Sequence, residues 1–273
     1  MGKVVGVVTA VVAVAALAGS ASASVIMHEQ FSYADEAAFD ADYSNGGNAT
    51  EFNPTGMTSP NLIGEAGGSA RVYDERPGRS IGTTFGDEDE TVFVSFLMQS
   101  DTNDGWAADT KGIYRVFELY NGGNTSNGSG RVYTIGLLRT LGDTTSGQFE
   151  HQSGGSNPDL GDFNTDVNLF VAKFAFTNGG TNFTVDAWLN PTTATDFNAD
   201  SNRITGTGLQ FDAFAMASFA HPETSSYANF DEIMFSTSAT DIVLVPEPGS
   251  LGLIVFASVA TGLLGRFVGR AKC

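Results

Sequence analysis

The chain has 273 residues, room for one large domain or two small ones. A hydrophobic content of 41% excludes wholesale disorder, while 33 Gly and only 16% charged residues argue against a Lys/Glu-rich helical bundle and for loop-rich β structure. With 13 basic and 31 acidic residues the net charge is −18, which repels phosphate backbones; no basic patch offsets it, so nucleic acid is excluded as a partner.

The first 23 residues carry one Lys3, an uncharged run from Val4 to Ala18 and the small-residue site Ala21-Ser22-Ala23. These are the three parts of a secretory signal peptide, and they predict cleavage by signal peptidase before Ser24. A buried N-terminal helix would need a wet face, and Thr9 is the single polar residue from Val4 to Ala18. Helix signals are sparse afterwards: Asp35 to Tyr43 has room for two turns at most.

Strand signals follow, rich in β-branched and aromatic residues and bounded by Gly, Asn, Asp or Pro. Weak ones lie at Ala70 to Tyr73 and Ser80 to Phe85; clear ones at Thr91 to Gln99, Ile113 to Tyr120, Arg131 to Arg139, Val167 to Phe176, Thr181 to Leu189, Leu209 to Phe219 and Tyr227 to Phe235. Period-two alternation puts Phe170, Ala172, Phe174 and Phe176 on one face, and Phe211, Ala213, Ala215, Ala217 and Phe219 on another. Asn178-Gly179-Gly180 predicts a tight hairpin between the Val167 and Thr181 strands. The Gly-rich stretches Asn121 to Gly130 and Thr144 to Asn157 are loop-length, so no linker divides the segment. Nine to eleven strands without interleaved helices predict an all-β fold, a two-sheet antiparallel β-sandwich filled largely by the 21 Phe.

The C-terminal end reads Val245-Pro246-Glu247-Pro248, then 17 uncharged residues from Gly249 to Gly265, then Arg266, Arg270 and Lys272. At about 1.5 Å per residue the apolar run spans roughly 25 Å, which suits a transmembrane helix stopped by the basic cluster. Its order of parts resembles the PEP-CTERM sorting signal of Gram-negative bacteria. The resemblance implies export across the inner membrane, recognition by an exosortase, cleavage near Pro246-Glu247-Pro248, and an association with extracellular polysaccharide. The single cysteine, Cys273, lies in this tail, so the central segment has no disulfide. The chain thus divides into a signal peptide (1–23), a β-sandwich domain (24–245) and a sorting signal (246–273). The central part alone holds 9 basic and 30 acidic residues, a net charge of −21.

Within that domain, Arg79 to Phe85 leading into Thr91 to Leu97, then Trp188-Leu189-Asn190-Pro191, then Asn229-Phe230-Asp231-Glu232-Ile233, resembles the concanavalin A-like or laminin-G-like jelly rolls of exported planctomycete-type proteins. The resemblance implies a jelly-roll sandwich, with Phe230 and Ile233 anchoring its last strand.

A retaining glycosidase sets two carboxyls about 5 to 5.5 Å apart, commonly at alternating positions of one strand. No E-x-D-x-E is present; Asp87-Glu88-Asp89-Glu90 is contiguous and reads as a charged turn. Oxygen-bearing side chains stand at every second position from Asp162 through Asn164 and Asp166 to Asn168, the spacing that begins a calcium loop with Asp162, Asn164 and Asp166 as ligands, and Asp101, Asn103 and Asp104 form a second acidic loop. The alternative for both is an Asx-rich turn, and Val167 and Lys173 at the sixth and twelfth positions exclude an EF-hand. His28, His151 and His221 have no paired spacing, which argues against zinc. Trp106 follows an acidic loop and is the candidate platform for a sugar ring, whereas Trp188 sits in a strand and reads as core.

Two functions follow as expectations: an exported, non-enzymatic surface or matrix protein binding a glycan or a neighbouring protein, or a secreted glycan-cleaving enzyme.

Overall fold

The computed structural model describes residues 25–43, 50–59, 67–73, 75–100, 114–122, 125, 128–138, 148–192, 197, 201–219 and 227–242. In chain order these form β1 (Val25–Glu29), α1 (Glu36–Asp42), β2 (Thr50–Asn53), β3 (Ser69–Val72), β4 (Gly78–Phe85), β5 (Thr91–Ser100), β6 (Tyr114–Tyr120), β7 (Arg131–Leu138), β8 (Gln148–Gln152), β9 (Asp159–Asp162), β10 (Asn168–Thr177), β11 (Asn182–Leu189), β12 (Ile204–Thr207), β13 (Phe211–Phe219) and β14 (Ala228–Ser236), with a short 3₁₀ turn at Ala239–Asp241. The strands make two antiparallel sheets. The larger runs β12-β11-β10-β5-β14-β3-β2, with β1 also on β14; the smaller runs β4-β13-β6-β7-β8-β9. The expected two-sheet sandwich is therefore the observed fold.

Inward alternation on both sheets builds one continuous core. Phe96 of β5 stacks on Phe117 of the opposite sheet at 4.7 Å and on Phe170 of the neighbouring β10 at 5.1 Å, so a single ring ties both layers together. The hairpin from β10 to β11 pairs Phe170 with Leu189 through Thr177 with Asn182 in unbroken register, and its turn uses left-handed backbone at Asn178, Gly179 and Gly180. The acidic turn at 87–90 clamps this hairpin: Gly179 N donates to Asp89 Oδ1 at 2.6 Å, and Gly86 N to Glu90 Oε1 at 2.7 Å. Helix α1 begins as expected, with Asp35 accepting from Ala38 N at 3.0 Å, and lays Phe39 on the core.

Three sequence expectations are corrected. The face assigned to the β13 strand splits at a bulge between Phe211 and Ala213. Across that irregularity Phe211, Phe214 and Met216 face the core, while Ala213 and Ala215 pack beneath Tyr120 on the outside. Thr144 to Asn157 is more than a loop, because β8 lies inside it and points Phe149 and His151 inward. Trp188 is buried as expected, but on the outer face of the large sheet, in a second apolar cluster with Leu97, Val171, Phe197 and Ile242.

The last strand carries another bulge. β14 shifts register against β5 between Asp231 and Met234, and its opposite edge passes from β3 to β1 at the same place. Skipping two residues points both Phe230 and Ile233 into the core, as the resemblance implied. The cost is Glu232 at φ +50°, a left-handed backbone that few side chains adopt.

Among the described residues no helix is long and apolar enough to cross a membrane. The apolar run 249–265, Pro246, Glu247, Pro248, Arg266, Arg270, Lys272, Ala21, Ala23 and Ser24 all lie outside the described residues.

Candidate functional site

A concavity lined mainly by polar side chains sits where β5 ends, β10 begins and β11 ends. It is a cup of about 480 Å³ lined by Thr58, Gln99, Asn164, Asp166, Val167, Asn168 and Asn190. Asn168 is its keystone, 1% exposed. Its Nδ2 donates to Asn164 Oδ1 and to the Asp166 carbonyl, each at 2.8 Å, and its Oδ1 accepts from Asn190 Nδ2 at 2.8 Å. Asn190, left-handed at φ +51°, completes the strand end by accepting from Leu169 N and donating its own N–H to Leu169 O, both at 2.8 Å. Asn164 Oδ1 closes an Asx turn on Asp166 N at 3.0 Å, and Gln99 Nε2 holds the loop by donating to Thr165 O at 3.2 Å. A buried amide network thus fixes the wall before any ligand arrives.

Asn164 and Asp166 are brought together here, whereas Asp162 is exposed at the end of edge strand β9 and does not line the cup. The amide oxygen of Asn164 already accepts two N–H bonds. Asp166 is exposed, and its carboxylate accepts no hydrogen bond among the described residues. Calcium takes six to eight oxygens, so Asp162, Asn164 and Asp166 do not by themselves form a coordination shell; among the described residues no group of three acidic, His or Cys side chains is placed to hold a metal. Asp101, Asn103, Asp104 and Trp106 lie outside the described residues.

Carboxylates capable of acid or base chemistry were traced separately. Asp231, 1% exposed, is pushed up to about 7 by burial, against the lowering effect of the Met57 and Glu232 backbone N–H groups that donate to it at 2.6 and 2.8 Å. Neighbouring Glu232 pairs with His28 Nε2 at 2.7 Å. Asp231 therefore spends both oxygens on the chain: it anchors segment 54–59 to the bulge of β14. His151 is also interior. Its Nδ1 meets the Tyr133 hydroxyl at 2.9 Å and its Nε2 the Asn202 carbonyl at 2.5 Å, and burial pushes it down to about 4, so it is a neutral core residue.

Sequence reasoning found Asn164 and Asp166 through their spacing. The same spacing reached Asn168 but missed Asn190, Gln99 and Thr58, whose convergence depends on strand register: Asn168 is opposite Met98, one residue before Gln99. The run Asn164-x-x-x-Asn168 and the Asn190 that follows β11 were the only local traces.

No family model and no curated protein matches the chain. Solved structures do match. The CBM2 module of the evolved Dit of Lactobacillus casei BL23 phage J-1 aligns with 82% of this chain and 98% of its own at 12% identity and a TM-score of 0.40. Cellulose induced protein Cip1 aligns with 78% of this chain and 97% of its own, at 11% identity and 0.40. The botulinum neurotoxin serotype G binding domain aligns with 80% of this chain and 50% of its own, at 9% identity and 0.40. Likenesses this distant carry no argument about what the chain binds.

Proposed function

We propose that the chain is an exported cell-surface or matrix protein whose jelly-roll domain binds a glycan in the cup formed by Gln99, Asn164, Asp166, Asn168 and Asn190, without cleaving it. The observation that carries this reading is the composition of the wall. Amide and carboxylate groups pair with vicinal hydroxyls, and a prearranged network lets them do so without a further ordering cost. Hydrolysis needs two facing carboxyls, and Asp166 is the single carboxylate among the described lining residues. Sequence features outside the described residues support the route: signal peptidase removes 1–23, the tail holds the inner membrane, and an exosortase-type enzyme recognises Pro246-Glu247-Pro248. Calcium held by Asp101, Asn103 and Asp104 with Asp162, Asn164 and Asp166, and a ring stacked on Trp106, remain parts of the proposal.

The test is a glycan array probed with the full chain, with and without calcium, beside Asp166→Ala and Gln99→Ala. Binding that both substitutions abolish supports the reading. Release of reducing ends from a bound glycan would replace it with the enzymatic one, and binding unaffected by either substitution would place the site elsewhere.

A further inference from the structure

A second assembly lies on the outer face of the small sheet, at the other end of the molecule. Glu118 of β6 is wholly buried there and saturated with donors. Arg76 Nε donates to it at 2.6 Å, Arg131 Nη1 at 3.0 Å, and the Tyr114 and Tyr120 hydroxyls at 2.5 Å each. Arg131 Nη1 also donates to the Tyr114 hydroxyl. Among the described residues two guanidiniums meet one carboxylate, so one positive charge is left over. The side chain of Arg76 is 14% exposed and that of Arg131 35%, which places the surplus on Arg131. The Nε and Nη2 groups of Arg131 donate to no atom of the described residues.

Arg131 lines a groove. One compartment of about 420 Å³ runs from Arg131, Ser153 and Ser156 across to Phe183 and the edge strand β12, with Thr205 and Thr207 on its rim. A second, of about 180 Å³, continues past Arg131 along Thr134 and Gln152. Gly154 and Gly155 turn with φ of +60° and +88°, and no heavy atom stands within 4 Å of where their Cβ atoms would be, so the β8–β9 turn leaves the mouth unobstructed. Among the described residues no acidic side chain lines either compartment.

We propose that this groove is a binding site for a carboxylate-bearing sugar unit, such as a single uronate, within an otherwise neutral glycan. The guanidinium of Arg131, held by its bonds to Glu118 and Tyr114, presents a planar donor edge matched to a carboxylate. Hydroxyls of Ser156, Thr205 and Thr207 and the unpaired edge of β12 supply partners for ring hydroxyls. The density of acid in the ligand is also selected. Screening confines the pull of Arg131 to about 10 Å at 0.1 M salt, so a lone carboxylate feels mainly that residue, while an extended polyanion meets the chain's net −18. The site is independent of the cup. Phe183 and Asn190 lie at opposite ends of β11, about 23 Å apart at the rise of a strand.

The experiment titrates the full chain, in neutral detergent, with a glucuronate-terminated disaccharide, its carboxyl-reduced counterpart, a sulfated neutral disaccharide and polygalacturonate, following heat release and the Arg131 Nε–H resonance. The glucuronate is expected to bind at least tenfold more tightly than any of the other three per anionic group, and to shift the Arg131 signal. Arg131→Gln and Thr205→Glu each weaken it at least tenfold, the latter with the Glu118 cluster intact and an unchanged melting temperature, while Asp166→Ala has no effect. Equal binding of the reduced sugar, equal or tighter binding of the sulfated sugar or the polyanion, no binding at millimolar glucuronate, or a Thr205→Glu protein that binds like the parent would each overturn the proposal.

Discussion

Burial of Asp231 makes a quantitative demand on stability. Its folded value of about 7 stands above the ordinary 3.8. A carboxyl whose value is raised by folding favours the folded state when protonated, so its penalty is absent below pH 3.8, grows as pH rises, and levels off above 7. The difference of about 3 units at 1.36 kcal/mol each sets a ceiling of about 4 kcal/mol lost from the fold between pH 4 and pH 8. Ionised Glu232 raises this cost and protonated His28 lowers it, as the contacts at the bulge dictate.

Because other carboxylates also titrate, the readout is a difference. Urea unfolding of the full chain and of Asp231→Asn, at unit steps from pH 4 to pH 8, isolates the one group. Asparagine keeps the shape and one acceptor for Met57 N but cannot ionise. The variant is expected to gain on the parent steadily as pH rises, by roughly 2 to 4 kcal/mol overall. Parallel profiles would show that Asp231 titrates alike in both states. A parent that gained on the variant with rising pH would show instead that the Met57 and Glu232 N–H bonds outweigh desolvation.

Further substitutions probe the other polar clusters. Asn168→Ala removes the keystone of the cup and strands several of its partners, so thermal melts should record a loss of about 1 to 3 kcal/mol together with loss of glycan binding. Glu118→Gln leaves Arg76 and Arg131 without their counter-charge and is expected to cost about 3 to 5 kcal/mol in urea unfolding. Intact-mass measurement of the exported protein should show loss of residues 1–23; retention of Met1 or recovery in the cytoplasm would refute export. If the acidic loops hold calcium, melting in calcium should exceed melting in magnesium or in sodium chloride of equal ionic strength; equal shifts would mean screening alone.

The strands that sequence reasoning located are those whose side chains report burial directly. β5, β10 and β11 are runs of Val, Phe, Leu and Ala with Gly or Asn at their ends, and both their limits and their hairpin emerged to within a residue or two. β8 and β9 were missed for a physical reason. β9 is an edge strand with Asp159 and Asp162 exposed, and β8 alternates Gln148, Glu150 and Gln152 with the buried Phe149 and His151, so composition resembles a turn-rich loop while period-two burial makes a strand. The faces of β13 were misassigned because alternation assumes unbroken register, and the pairing with β4 shifts between Phe211 and Ala213, where two steps of β13 oppose five of β4.

The same contrast governs the sites. Asn164 and Asp166 announce themselves because a turn packs its ligating atoms within five residues, whereas the Glu118 assembly joins residues 76, 114, 118, 120 and 131 across three segments of chain. Read singly, each of these residues is ordinary: a strand glutamate, two strand tyrosines, two arginines. Only the register that sets Tyr120 opposite Arg131, and Glu118 opposite Thr134, brings them onto one face. Placing two arginines on one buried carboxylate then turns a charge that would destabilise an apolar face into a fixed, outward-facing guanidinium edge. In a chain so strongly acidic, two guanidiniums sharing one carboxylate beside a groove with no acidic lining among the described residues stand against the surrounding composition, and that local reversal of charge, invisible in the net value of −18, is what singles out the groove beside Arg131 as a place for an acid-bearing ligand.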